Sequence, residues 1–174
     1  LERVNQDKRF DNLFDHPGAG NIQPLFEQHE DVVLEHWNAW RIDDDPKAQF
    51  EESQRAATAL LVGTPHKKYD FFVVHTLTTS HAVRILLPLM PAKWQGPLVR
   101  QWWLFTLTVY IAQLRPAIKM SRITDYDLNG RDWKFVGDKA LKGDHSLDAH
   151  YVKGRFLAGL RSVHLLTYLQ HVEP

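Results

Sequence analysis

Ten histidines among 174 residues are the first side chains to question, because a neutral imidazole can accept a proton or ligate a metal near neutral pH. His75 lies in a run from Tyr69 to Pro88 in which Phe71, His75, Thr78, Ala82, Ile85 and Leu89 recur at steps of three and four. That spacing aligns them along one side of a helix, the side expected to face a core. An imidazole in such a stripe has two uses. It is a core side chain bonded to Thr79 or a neighbouring helix, or it is a general base that an apolar pocket keeps neutral. His81 shares the opposite side with Leu77 and Arg84. Later in the chain, Asp148-Ala-His150-Tyr-Val-Lys153 sets His150 and Lys153 one turn apart. Either Asp148 serves a helix N-terminus with His150 and Lys153 solvated, or the two face a substrate together.

Metal chemistry finds little support in the spacings. His75 and His81 are separated by about 240° and about 9 Å on a helix, so they do not grip one ion. His150, His164 and His171 fall on a seven-residue repeat, but the first and last are roughly 31 Å apart. No HExxH motif or carboxylate-rich ExxH pair is present. Asp15-His16 and Asp144-His145 are the doublets of metal-dependent phosphohydrolases, a weak signal when isolated. GxGxxG, Walker and GxSxG motifs are also missing.

Asp70 before the His75 run reads as an N-cap rather than a catalytic carboxylate, and Pro88 with Pro91 closes the helix. Leu1 to Asn21 is an arm and a loop. A helix from about Pro24 carries Leu25, Val32, Val33, His36, Trp37 and Trp40 on its inner face. Asp45-Pro46 starts another, with a thin buried edge of Phe50, Ala57, Leu60 and Leu61. A further helix from about Pro97 to Leu114 presents Leu98, Trp102, Phe105, Val109 and Ala112, and Arg115-Pro116 ends it. Residues 121–144 read as a long connection. The last helix runs from about Ser146 to His171, with Val152, Phe156, Val163 and Leu166 as its core edge. The expectation is one all-α domain over residues 1–174, a bundle of about five to six helices.

Lys and Arg balance Asp and Glu at 21 each, so the composition carries no nucleic-acid footprint. The lack of cysteine excludes disulfides, zinc-thiolate and Fe–S sites and a thiol nucleophile, and favours a cytoplasmic protein. The longest apolar stretch, Trp102 to Ala112, falls short of the roughly 20 residues that span a bilayer. No membrane association is expected. Six tryptophans and nine phenylalanines suit a core, or a flat aromatic ligand.

Two segments carry a resemblance. Tyr-Asp-Phe-Phe-Val-Val-His at residues 69–75 and Leu-Asp-Ala-His-Tyr-Val-Lys at residues 147–153 are similar to the questin oxidase-like family of fungal polyketide pathways. So is the order of Glu51-Glu52, Pro65-His66, the His75 helix and Arg115-Pro116. Family members are longer, and this chain resembles their later portion. The resemblance implies oxidation of anthraquinone-type polyketides by molecular oxygen with Baeyer–Villiger-type ring opening, with NADPH as a candidate reductant. No other cofactor is evident in the chain. The residues suggest how: His75 or His150 deprotonates a phenol or enol, and Lys153 or Arg84 stabilises the developing oxyanion. Asp70, Phe71, Thr79 and His81, with Arg84, are the expected substrate contacts. The partners implied are a small aromatic polyketide and either the earlier part of the family chain or a second copy. A metal-dependent hydrolase and a non-catalytic helical binding module are the competing readings.

Overall fold

The computed structural model describes residues 1–42, 45–65, 70–127 and 129–153. Among them there is no strand, and the expected all-α bundle is what forms. In chain order the helices are α1 (Glu2–Gln6), α2 (Ile22–Ala39), α3 (Pro46–Val62), α4 (Phe71–Leu86), α5 (Ala92–Ala112), α6 (Ser121–Thr124) and α7 (Trp133–Lys142). A further helix, α8, opens at residue 149 and is described to residue 153. The predicted core positions Phe156, Val163 and Leu166, the repeat positions His164 and His171, and the Pro-His turn at His66 lie outside the described residues.

α5 is the axis of the bundle. It packs against α2, α3 and α4, and every residue from Thr106 to Ala112 is buried, as a helix enclosed on all sides requires. It begins at Ala92, five residues before the start expected at Pro97. The proline is tolerated because the carbonyl it leaves without a partner, four residues earlier, belongs to Lys93 in the exposed first turn, where water can take the place of the missing N–H. At the other end Leu114 and Arg115 turn the chain out of the helix at φ 62° and 50°. This left-handed conformation is uncommon without glycine and is held by the contacts of Arg115 described below.

α3 and α4 flank α5 with a polar layer inside the core. Gln54, Thr76, Ser80 and Thr106 are all at most 1% exposed. Gln54 Nε2 donates to Ser80 O at 3.2 Å and Ser80 Oγ at 2.9 Å, and Trp102 Nε1 donates to Thr76 O at 3.1 Å. These bonds tie α4 to both neighbours and fix its rotation, since each buried donor must find a partner. Phe50 meets Trp102 edge-to-face with centroids 5.2 Å apart. Beyond the thin edge expected for α3, Ser53, Gln54 and Thr58 are buried too.

The rotation of α4 is the main correction to the sequence reading. The stripe expected to face the core faces outward: Phe71, Ala82, Ile85 and Leu89 are exposed, and His75 and Thr78 are half-buried. The buried positions are Val73, Val74, Thr76, Leu77, Ser80, Val83 and Leu87. α4 is apolar nearly all the way round, so periodicity alone defines two competing stripes. The polar layer decides between them, because only one rotation gives Thr76 and Ser80 their partners. The segment read as a long connection is likewise partly helical. Asp132 caps α7 by accepting from Phe135 N at 2.9 Å, and Lys134 and Lys142 both pair with Asp138 at i,i+4 spacing.

Candidate functional site

α4 starts as predicted, with Asp70 Oδ1 accepting from the backbone N–H of Phe72 at 2.8 Å and of Val73 at 3.0 Å. Asp70 is thereby committed to the helix N-terminus. One turn further, His75 Nδ1 lies 2.6 Å from Phe71 O. A carbonyl only accepts, so Nδ1 carries the proton in this contact and Nε2 is left with its lone pair. The Phe71 ring stands edge-on to the imidazole with centroids 4.7 Å apart.

α8 brings the second imidazole to the same place. Asp148 caps it, Oδ1 accepting from His150 N at 2.8 Å and Tyr151 N at 3.3 Å. Those two N–H groups, Tyr151 first, hold the Asp148 carboxyl below the usual carboxylate range. The same Oδ1 is 3.7 Å from His150 Nδ1, close enough to bias the ring's orientation though too long for a hydrogen bond. The His150 ring then lies 5.2 Å from His75 and 4.9 Å from Phe71, centroid to centroid. Two candidates that are 75 positions apart in the chain thus meet, with an aromatic side chain touching both. Lys153 follows one turn after His150 and is exposed.

The remaining predicted contacts are distributed differently. Thr79 Oγ1 donates to the His75 carbonyl at 2.7 Å, so it braces the helix and does not bond the imidazole ring. His75 is half-buried, which replaces the expected base sealed in an apolar pocket with an imidazole that ligands can reach. Arg84 Nη2 donates to His81 Nδ1 at 3.1 Å. Arg84 is nine residues beyond His75, about 13 Å further along α4, and projects from the opposite side. Arg84 therefore does not share the His75–His150 site. It lines a separate cleft of about 530 Å³ with Lys47, Phe50, Glu51, Leu87, Pro88 and Gln95.

A further histidine cluster was not foreseen. His36, read as part of the inner face of α2, places Nε2 at 2.8 Å from Asp7 Oδ2, both side chains being 12% exposed. Asp7 also binds Arg9 through both carboxylate oxygens, and Arg9 reaches Glu35 at 2.7 Å. The Arg9 guanidinium, more than His36, holds the Asp7 carboxyl far below its ordinary range. With both oxygens committed, Asp7 is a brace rather than a free carboxylate. No local signal links positions 29 residues apart, although Asp7 ahead of Lys8-Arg9 has the form of a cap. Arg115 completes this end. Its Nη1 donates to the carbonyls of Val4, Asn5 and Asp7 at 3.1, 3.1 and 2.8 Å, its Nη2 to Asp11 at 2.7 Å, and its guanidinium covers the Phe10 ring.

Among the described residues no three His, Cys, Asp or Glu side chains cluster as metal ligands do. No helix among them is long and apolar enough to cross a membrane. Nothing among curated proteins or solved structures matches the chain. The family model for questin oxidase-like proteins matches residues 1–155, a span that includes every helix described above and the His75–His150 pair. The chain belongs to the questin oxidase-like family.

Proposed function

We propose that this oxidase-family chain takes part in the oxygen-dependent, Baeyer–Villiger-type oxidation and ring opening of an anthraquinone-like polyketide, with His75 and His150 handling the proton. The observation that carries the reading is the convergence of the two imidazoles at 5.2 Å beside Phe71. His75 offers Nε2 as an acceptor while Nδ1 stays bonded to Phe71 O. A substrate phenol or enol gives its proton to that nitrogen, and the half-exposed Phe71 ring offers an aromatic substrate a surface to stack on. The electron-rich anion reacts with molecular oxygen, forming a C–O bond, and the resulting peroxide attacks the neighbouring carbonyl. Lys153, one turn from His150, stabilises negative charge on oxygen. Cleavage of the O–O bond inserts one oxygen atom beside the carbonyl carbon and leaves the other on the attacked carbon as a hydroxyl. Its loss as water, with hydride and proton returned to that carbon, takes two electrons, for which NADPH is the proposed source. Molecular oxygen and a small aromatic polyketide are thus the substrates of this reading, with cytoplasmic placement and association with further family sequence or a second copy as its accompanying expectations.

The test is oxygen uptake with a hydroxyanthraquinone, with and without NADPH, for the natural chain and for His75→Gln and His150→Gln. Each substitution is expected to lower turnover by 100-fold or more while helical circular dichroism is unchanged. Wild-type turnover in both variants would sink the imidazole reading. Metal content measured beside the rate, before and after chelation, separates the proton-transfer role from that of a bound ion.

A further inference from the structure

At the far end of α4 from the two imidazoles, three helices leave a cleft of about 530 Å³, within the size range of small-molecule sites. Lys47 and Glu51 come from α3, Arg84 from α4 and Gln95 from α5, above an apolar floor of Phe50, Leu87 and Pro88. Among the described residues none of the three charged side chains forms an ion pair. Lys47 and Glu51 stand unbridged even though i,i+4 spacing would let them meet. Arg84 is steadied by its bond to His81, so its guanidinium is oriented by an imidazole and pairs with no carboxylate among the described residues. Gln95 spends its Nε2 on Met90 O at 3.1 Å, which leaves the amide oxygen as an acceptor.

We infer that this cleft binds a small organic anion that also carries a hydroxyl donor. Its carboxylate or phosphate head lies between Lys47 and Arg84, where two cations from different helices supply charge-assisted hydrogen bonds. Its hydrocarbon part covers Leu87 and Pro88, and its hydroxyl donates to Glu51 or Gln95. The charges set the preference. Two cations without an acidic partner favour a monoanion, and the unpaired Glu51 repels a ligand that is anionic at both ends while rewarding one that brings a donor. The site uses none of the residues of the imidazole pair, so it stands or falls independently of the proposed oxidation.

Three probes on the ¹⁵N-labelled protein test it by NMR titration: 4-hydroxybenzoate, benzoate and phenol. Saturable shifts of the Lys47, Glu51, Arg84 and Gln95 amides are expected with 4-hydroxybenzoate, weaker ones with benzoate and none that saturate with phenol. Lys47→Gln with Arg84→Gln should weaken 4-hydroxybenzoate by tenfold or more, and Glu51→Gln should bring it level with benzoate. These side chains lie at the surface, and an unchanged amide spectrum away from the cleft shows that the variants fold. Phenyl phosphate in place of benzoate distinguishes a phosphate from a carboxylate head. Shifts that miss the cleft, or binding that the double variant leaves intact, would overturn the inference.

Discussion

Where the N-terminal segment meets the end of α5, nearly every polar side chain is spent on the protein itself. Arg115 gives hydrogen bonds to three carbonyls and a carboxylate, Asn5 joins the Tyr110 hydroxyl to the Arg115 carbonyl, and Asp7 binds Arg9 and His36 together. Where α4 begins, the polar groups are held more sparingly. His75 uses one ring nitrogen on Phe71, His150 is steadied by Asp148 at 3.7 Å, and Phe71 remains 54% exposed. Both ends contain a histidine beside an acidic or aromatic neighbour, so residue type does not separate them. What separates them is residual capacity. His36 faces a carboxylate whose oxygens are already engaged, whereas His75 Nε2 has no hydrogen-bond partner among the described residues. The first arrangement fastens a segment to the bundle, and the second leaves one imidazole nitrogen uncommitted to the protein, as the proposed proton transfer requires.

That contrast breaks most sharply at Arg115. Arg115→Ala strands three carbonyls and the Asp11 carboxylate and uncovers Phe10, and should lower unfolding free energy by about 3 kcal/mol, read from urea denaturation. Residues 1–11 should then become the first segment to lose amide-exchange protection. Asp7→Asn comes next, at about 1–2 kcal/mol near neutral pH after allowance for the solvent around Arg9. Its pH dependence follows from the direction of the shift. Asp7 is more acidic folded than unfolded, so its contribution is complete above the unfolded carboxylate value of about 3.9. The gap between wild type and Asp7→Asn should close as pH falls below about 4. A gap that widened below about pH 4 would contradict the assignment.

At the other end the expected stability effects are smaller. His75→Gln or His150→Gln should shift unfolding free energy by no more than about 1 kcal/mol, despite the large loss of turnover proposed for each. A stability loss matching that of Arg115→Ala would place His75 among the structural side chains. Gln54→Met should be the mildest change, within about 1 kcal/mol of wild type. It loses the two bonds to Ser80 but also removes a buried Oε1 that has no partner among the described residues, so loss and relief largely offset. Ser80 keeps its bond to Leu77 O, and Trp102 keeps its bond to Thr76 O, which still holds the rotation of α4.

The secondary structure was largely legible in the chain. Asp45-Pro46 and Asp70 mark the starts of α3 and α4 through local chemistry, a side-chain oxygen meeting free N–H groups within three residues. The same rule would have found α7 from Asp132, had the Gly and Asn residues before it not suggested a connection. Pro97 points in the other direction, since helix starts favour proline, but a proline one turn inside is also tolerated where the carbonyl four residues before it, here that of Lys93, lies on an exposed first turn.

The sequence by itself determined that the protein is helical, where most helices begin, and which residue types could do chemistry, because capping and periodicity act over one or two turns. Only the tertiary structure decided the rotation of α4, since its two apolar stripes differ little in hydrophobicity and the choice depends on Gln54 and Trp102 from other helices. The same rotation left His75 half-buried at the surface beside His150 and carried Arg84 to a different cleft. Such pairings form across tens of residues, and no spacing rule within one helix encodes them.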